Sequence, residues 1–378
     1  MRVILITHGK VNPTGHNGIS RVVYGLNKYA KQNGINSEIW SVVDGVKKET
    51  EYIRDQYVTV KCFPRIKYGI NAEAEICRKI RAEKDSIDII HFHMPWLLDK
   101  LPIAKTCREC GIPYIVTGHS AYSASQKQTW KMRIGKKYEL PFLNGAAAVH
   151  AITREESSEF KKFGIKTKMF VIPNSVDDPC ATGVIYKAQE ELIHILFMGE
   201  LRPQKNIDGL IEAVGKLPAE EKNKIKLDIV GPGANGSLEY YKQMASACGL
   251  EQQFCFHGGV FGEDRVELFK KADLYITPSL SEVISLSAIE AMAYGRPCIL
   301  TRQSDVSYFY NLNFFEMCEN YADDISRAIH TMLGKKDQWQ TFSKNARLCY
   351  ERNFKWESNI PKFIEAYELF SKNRSDSE

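Results

Sequence analysis

A chain of 378 residues with 44% hydrophobic and 26% charged residues has the composition of folded globular protein and the length for two α/β domains, so disorder is not the default. No apolar run reaches the roughly 20 residues that span a bilayer, and ten cysteines without framework spacing read as reduced thiols of a cytoplasm rather than a disulfide scaffold. The net charge of +5 is uneven: residues 1–172 hold 28 Lys and Arg against 16 Asp and Glu, and residues 173–378 hold 23 against 30.

The apolar stretch 2–7 reads as a first strand, too short for a signal sequence and followed by no small-residue cleavage site. The loop after it, TGHNGISRVV, places Gly15 and Gly18 ahead of a helix over 20–33. Glycine there lets the backbone approach a bound phosphate with no Cβ in the way, although any tight β–α turn also favours it. SEIWSVV, IDIIHFH, PYIVTGH and AAVHAIT supply further strands ending on or near polar residues. His91 and His93 alternate on one strand and share a face, which superficially suggests metal ligands, but no third ligand is in evidence. Cys107 and Cys110 form a lone CxxC with no second pair and no nearby His, which reads as coincidence. His119 closes YIVTGH and projects from a strand's carboxyl end, where α/β sheets bind ligands; a strand-end His bonded to backbone is the alternative. Next come Lys127, Lys131, Arg133, Lys136 and Lys137, with Trp130 and Met132 among them. This basic run fits a solvated helix face equally with contact to anionic headgroups or a pyrophosphate. No DNA- or RNA-reading module is present, which sets nucleic acid aside as a partner.

Pro173 and Asn174 signal a turn, and the polar stretch to about Ala188 reads as a linker. A second strand series follows in IHILFMGE, IKLDIVG, QFCFHGG, DLYITPS and RPCILT, with helices over 207–216, 238–248, 264–271 and 287–294. Such alternation predicts parallel sheets. The fold class is α/β, with two tandem doubly wound Rossmann-like domains over 1–172 and 189–352, a linker over 173–188, and a tail over 353–378. From Trp356 the tail reads WxxxIxxFIxxYxxF, the three- and four-residue steps of an amphipathic helix. GPGANG from Gly231 satisfies GxGxxG but sits on the second strand of its domain, and no acid ends a following strand about 20 residues on, so a dinucleotide fingerprint is disfavoured.

The stretch from Leu274 to Leu300 carries most information. A strand, LYITPS, breaks at Pro278 and leads through Glu282 into a helix that contains Glu290. Glu290 then lies about two turns further along, at about 1.5 Å per residue. The first amides of that helix, around Ser285, Leu286 and Ser287, form an anion site suited to phosphate.

This block resembles the E-x7-E element of retaining glycosyltransferases of family 4, which have the GT-B fold. The first loop is similar to the family's GGxxR-V element, with Asn17 at the first glycine and Gly18 at the second. TGH at His119 matches T-x-H, and GELRPQK resembles the G-R-L-x-x-x-K-G element. In the last, Lys205 aligns with the Lys, whereas Glu200 stands at the usual Arg and Arg202 follows two residues later. A glutamate beside a diphosphate is costly, so either Glu200 points away or the register differs.

The resemblance runs from the Gly18 loop to the Trp356 helix. It implies GT-B domains with a cleft between them, a C-terminal helix returning to the first domain, and a nucleotide-diphosphate sugar such as a UDP- or GDP-sugar as donor. The implied acceptor is a glycan, lipid-linked or other hydroxyl acceptor, in surface polysaccharide or glycoconjugate assembly at the inner membrane face, with peripheral contact to anionic lipid. No cofactor is implied. No DxD ends a strand, so Lys205, Arg202 and helix amides take the place of a metal at the diphosphate. In that scheme His119 and Glu282 face the reacting sugar and Glu290 holds the ribose hydroxyls. Gly18, Ser285 and Leu286 contact the donor, and Gly231 and Val260 edge the base. Two readings of other classes stay open: a GT-B epimerase or phosphorylase, and a non-catalytic sugar-nucleotide-binding subunit, which Glu200 and Asn17 keep open.

Overall fold

The structure, a computed structural model, describes residues 1–12, 17–65, 74–122, 130–179, 192–233, 236–304 and 311–372. The chain divides into two compact units, Met1–Ser175 with Trp356–Glu378, and Val176–Lys355.

In the first unit the strands are β1 (Arg2–His8), β2 (Asn36–Val43), β3 (Thr50–Ile53), β4 (Thr59–Pro64), β5 (Ile89–Phe92), β6 (Tyr114–Thr117), β7 (Ala148–Ala151) and β8 (Met169–Val171). They form one sheet in the order β3-β4-β2-β1-β5-β6-β7-β8. Every pairing is parallel except β3 with β4. This antiparallel edge departs from the parallel pairing that strand–helix alternation predicts. β3 is short and alternates half-buried with exposed residues, so it lacks the apolar run of a strand covered on both faces. The helices are α1 (Gly18–Gln32), α2 (Glu75–Ala82), α3 (Lys100–Glu109), α4 (Trp130–Asn144) and α5 (Arg154–Phe163). Successive residues of β1 feed opposite cores, Ile4 and Ile6 into one and Val3 and Leu5 into the other.

The C-terminal helix Trp356–Phe370 returns to this unit because Trp356, Ile360, Phe363 and Tyr367 recur at helical spacing and bury in the core that holds Val23 and Leu26 of α1. Trp356 stacks on Tyr29 with ring centroids 5.5 Å apart. Gly25 makes room for the indole: a Cβ there would stand 2.4 Å from Trp356 Cζ2.

The second unit holds β9 (Ile193–Met198), β10 (Ile225–Val230), β11 (Phe254–Gly258), β12 (Leu274–Thr277), β13 (Cys298–Thr301) and β14 (Phe315–Cys318). All are parallel, in the order β11-β10-β9-β12-β13-β14. Its helices are α6 (Ile207–Gly215), α7 (Ala219–Lys222), α8 (Ser237–Ala247), α9 (Gly262–Lys271), α10 (Leu286–Ala293), α11 (Ala322–Gly334) and α12 (Trp339–Asn353). All residues of β9 and β12 are buried, as expected where helices cover both faces. The strand order reverses between β9 and β12. In an open α/β sheet, ligands bind at such a switch point, beyond the carboxyl ends of the strands. No helix among the described residues is long and apolar enough to cross a membrane.

Candidate functional site

The loop leaving β9 and the loop leaving β12 meet at that switch point. Asn206 adopts the left-handed conformation (φ 56°) and sends its side-chain amide to the carbonyls of Pro278, at 3.0 Å, and Asn320, at 2.8 Å. The Leu280 amide donates to the Gln204 carbonyl at 2.8 Å. These bonds hold Lys205 against Glu282, whose two carboxylate oxygens each lie 2.8 Å from the ammonium. Ser279, fully buried, donates to Glu282 Oε2 at 2.9 Å. Two residues 77 apart in the chain thus form one cation–carboxylate pair. It can present positive charge to a phosphate and negative charge to a hydroxyl or a developing cation.

Ser285 caps α10, its hydroxyl accepting from the Ala288 amide at 3.4 Å. Ser287 donates to the Met198 carbonyl at 2.6 Å and pairs with the Tyr275 hydroxyl at 2.8 Å, so the helix start is fastened to the ends of β9 and β12. The first-turn amides, Leu286 among them, have no carbonyl one turn earlier in the helix. One turn on, Glu290 is nearly buried and receives a two-pronged bond from Arg265 of α9, at 2.8 and 2.5 Å. Burial works against the Arg265 charge, but Glu290 outweighs it and holds the guanidinium's pKa above its ordinary value. A carboxylate oxygen accepts more than one hydrogen bond, so this fork is compatible with Glu290 also holding hydroxyls.

Arg202, Gly231 and Val260 also lie in this unit. Arg202 is bonded to Glu200 of its own loop at 2.8 Å, and 62% of its side chain is exposed. Glu200 is therefore turned onto Arg202, and each charge offsets the other. Gly231 has a local backbone reason: φ is 153° and a Cβ would stand 1.8 Å from the Gly199 carbonyl oxygen. Its amide donates to the Gly258 carbonyl at 2.7 Å. Val260 is half-buried after β11. Ala234 and Asn235 of the glycine motif lie outside the described residues.

In the first unit, Gly18 opens α1 and Asn17 caps it, accepting from the amides of Ile19 at 3.0 Å and Ser20 at 3.3 Å. An asparagine at this position therefore has a capping role that a glycine lacks. Gly15 lies outside the described residues, as do Lys127 and the side chains of Trp130, Lys131, Met132 and Arg133. Lys136 covers the Phe163 ring at 4.6 Å, and Lys137 is exposed. His119 is left-handed (φ 47°) and its Nε2 meets His93 Nδ1 at 2.9 Å. Burial, together with His150 and His8, brings its pKa down to about 3. It therefore acts as a neutral imidazole.

His91 belongs to a buried chain whose proton order is fixed by its end. The Ile172 carbonyl can only accept, so His150 Nε2 carries a hydrogen (2.7 Å) and His150 Nδ1 accepts from Thr117 (2.9 Å). Thr117 then accepts from His91 Nε2 (2.7 Å), and His91 Nδ1 accepts from the Tyr367 hydroxyl (2.9 Å). His91 thereby anchors the C-terminal helix.

Arg265 and Asn206 stand outside the motifs that sequence reasoning finds, and Ser279 enters there only as half of the Pro278-Ser279 break. Arg265 and Asn206 partner residues remote in the chain, whereas Ser279 meets Glu282 three residues on; of the three, Arg265 alone carries a signal, a cation in the helix preceding Glu282 and Glu290.

Residues 184–349 match the family model described as glycosyl transferases group 1, and residues 16–178 match that of glycosyltransferase family 4. The chain is 24% identical over 302 residues to the uncharacterized glycosyltransferase MJ1607 of Methanocaldococcus jannaschii, covering 75% of this chain and 76% of that one. In structure it resembles the sucrose-phosphate synthase of Thermosynechococcus elongatus, with TM-score 0.79 and 17% identity over 97% of this chain and 98% of that one. It also resembles Anabaena HepE in complex with UDP and glucose, with TM-score 0.76 and 16% identity over 97% and 99% of the two chains.

Proposed function

The chain belongs to glycosyltransferase family 4, with the GT-B fold, and from that premise we propose that it moves a sugar from a nucleotide-diphosphate sugar to a hydroxyl acceptor with retention of configuration and without a metal at the diphosphate. The Lys205–Glu282 pair at the β9/β12 switch point carries this reading. Cleaving the bond between the sugar and the diphosphate leaves negative charge on phosphate oxygen and positive charge on the sugar ring. Lys205 and the first amides of α10 stabilise the former. Once the diphosphate takes Lys205, the Glu282 carboxylate is released toward the latter. Its contact gains most when ring charge develops, so it lowers the barrier rather than tightening ground-state binding.

Attack from the face the diphosphate leaves lets a departing phosphate oxygen take the acceptor's proton, so no protein base is required. Glu290 holds the ribose, its orientation set by Arg265. On the resemblance, His119 contributes a neutral N–H donor, at the carboxyl end of β6. The UDP and glucose in the Anabaena complex support a UDP-sugar as the first donor to try.

The test is a panel of UDP-, GDP- and ADP-sugars scored by thermal shift, slow donor hydrolysis and transfer to hydroxyl acceptors, with and without EDTA. Stabilisation plus turnover that survives EDTA is expected. Loss of turnover in EDTA with rescue by manganese contradicts the metal-free step, and binding without turnover on any acceptor leaves a sugar-nucleotide-binding subunit.

A further inference from the structure

One face of the second unit's sheet carries a cluster that the transfer reaction does not use. Parallel pairing sets Leu196 of β9 beside Asp228 of β10, and Asp228 beside Cys255 of β11. Side chains two apart on a strand share a face, so His194, Asp228 and Cys255 line up across three adjacent strands. His257 joins them through an irregularity. The register runs from Ile229–Phe256 to Val230–Gly258, which makes His257 the extra residue of a β-bulge, a device that re-aims a side chain. His257 Nε2 stands 2.7 Å from one oxygen of Asp228, and His194 Nδ1 stands 2.9 Å from the other. Ligand atoms of Asp228, Cys255 and His257 all lie within 4.8 Å of one another. Asp228 is buried and Cys255 half-buried, whereas 26% of the His257 side chain reaches solvent.

We propose that Asp228, Cys255 and His257 bind a zinc ion, with a fourth position open to solvent and His194 orienting Asp228 from behind. A thiolate, an imidazole and a carboxylate together suit a borderline-soft divalent ion with tetrahedral preference. Magnesium and calcium require oxygen donors. His194 already holds one Asp228 oxygen, the outer-shell bond that fixes a metal-ligating carboxylate. Among the described residues the other oxygen is hydrogen-bonded by His257, which exchanges that bond for the ion. On binding, the Cys255 thiol proton leaves to solvent. The His257 ring, which donates from Nε2 in the metal-free protein, ends with its hydrogen on Nδ1. A purely structural His–Asp–His bridge explains two of these contacts but gives Cys255 no part.

The experiment uses the full chain, reduced, free of metal and without a histidine tag. It is titrated with zinc against a chromophoric chelator, and with cobalt(II) as a spectroscopic substitute. One equivalent of zinc and a thiolate-to-cobalt charge-transfer band are expected. Cys255→Ser should abolish the band, and both it and His257→Gln should weaken zinc by more than the roughly 10- to 100-fold that losing an outer-shell partner such as His194 brings. Cys248→Ser, at an exposed cysteine elsewhere, should change neither. Circular dichroism verifies folding, and His257, on the solvent side of the bulge, supplies the variant least disruptive to it. Absence of stoichiometric binding, or equal affinity in the wild type, Cys255→Ser and His257→Gln, overturns the proposal. Donor binding and turnover are read separately, so neither result decides the other.

Discussion

Replacing Lys205 with Ala removes a positive charge at the β9/β12 switch point, and the structure sets the size of the effect. A charge-assisted hydrogen bond to a phosphate oxygen contributes about 1.5–3 kcal/mol. Against this stands the pair that Lys205 makes with Glu282 in the free protein, with 23% and 16% of the two side chains exposed. A pair open to solvent to that degree is worth up to about 1 kcal/mol, and the wild type gives it up on binding the diphosphate. The net loss in nucleoside-diphosphate affinity is then about 0.5–3 kcal/mol, or roughly 2- to 150-fold. Titration calorimetry with UDP and GDP measures it, and a melting curve establishes that the domain remains folded. Glu282→Gln makes the opposite perturbation: Lys205 is freed in advance, so UDP should bind as well as or better than in the wild type. Unchanged affinity in Lys205→Ala would show that the lysine does not meet the diphosphate.

Glu290→Gln should raise the donor KM and also lower Tm, because it leaves Arg265 without its carboxylate. Removing one partner of a buried pair costs about 3–5 kcal/mol, less here because a quarter of the Arg265 side chain is exposed; an unchanged KM rejects the ribose role, whatever the melt. Gly25→Ala should drive a methyl into Trp356 and destabilise the first unit by about 1–3 kcal/mol, read as a lower urea midpoint. An unaltered midpoint would mean the terminal helix shifts at no cost. The histidine chain predicts a pH dependence. Burial lowers the pKa of His150 to about 4, against about 6.5 when unfolded. The unfolded chain therefore binds more protons in this range, so this stabilisation is complete above pH 6.5 and is lost as pH falls toward 4, by about 3 kcal/mol for this residue. Urea melts from pH 8 to 4 measure this, and a midpoint that stays flat refutes neutral burial.

The two parallel sheets were legible because their central strands are continuous apolar runs set between helical stretches. The edge pair β3 and β4 was not, since Lys61 and Pro64 interrupt the second strand's apolar pattern and the first is only four residues long. Lys205 and Glu282 were each placed by strand-end position and by the family's spacing. That they touch depends on Asn206 bridging to Pro278 and Asn320, a long-range bond that no local pattern encodes. Glu290 was legible for the same reason as Glu282, whereas Arg265, 25 residues earlier, needed the packing of α9 on α10 to gain its meaning. Asn17 looked like a departure from a glycine motif and is also a helix cap, a reading the residue type alone allows. Arg202 pairs with neighbouring Glu200, a contact within one loop that residue spacing permits but does not fix. The Asp228 cluster depends on register and on a one-residue bulge, neither of which follows from spacing within a strand.

The central claim, retaining transfer with Glu282 acting on the reacting sugar, is tested most directly by turnover in Glu282→Gln. A productive donor–acceptor pair is followed by NMR, reading the anomeric configuration of the product and kcat in the wild type and the variant. The account predicts a product with the donor's configuration, and a kcat in Glu282→Gln reduced by an order of magnitude or more while donor KM stays near the wild-type value. An inverted product, or a variant with wild-type kcat, would contradict it.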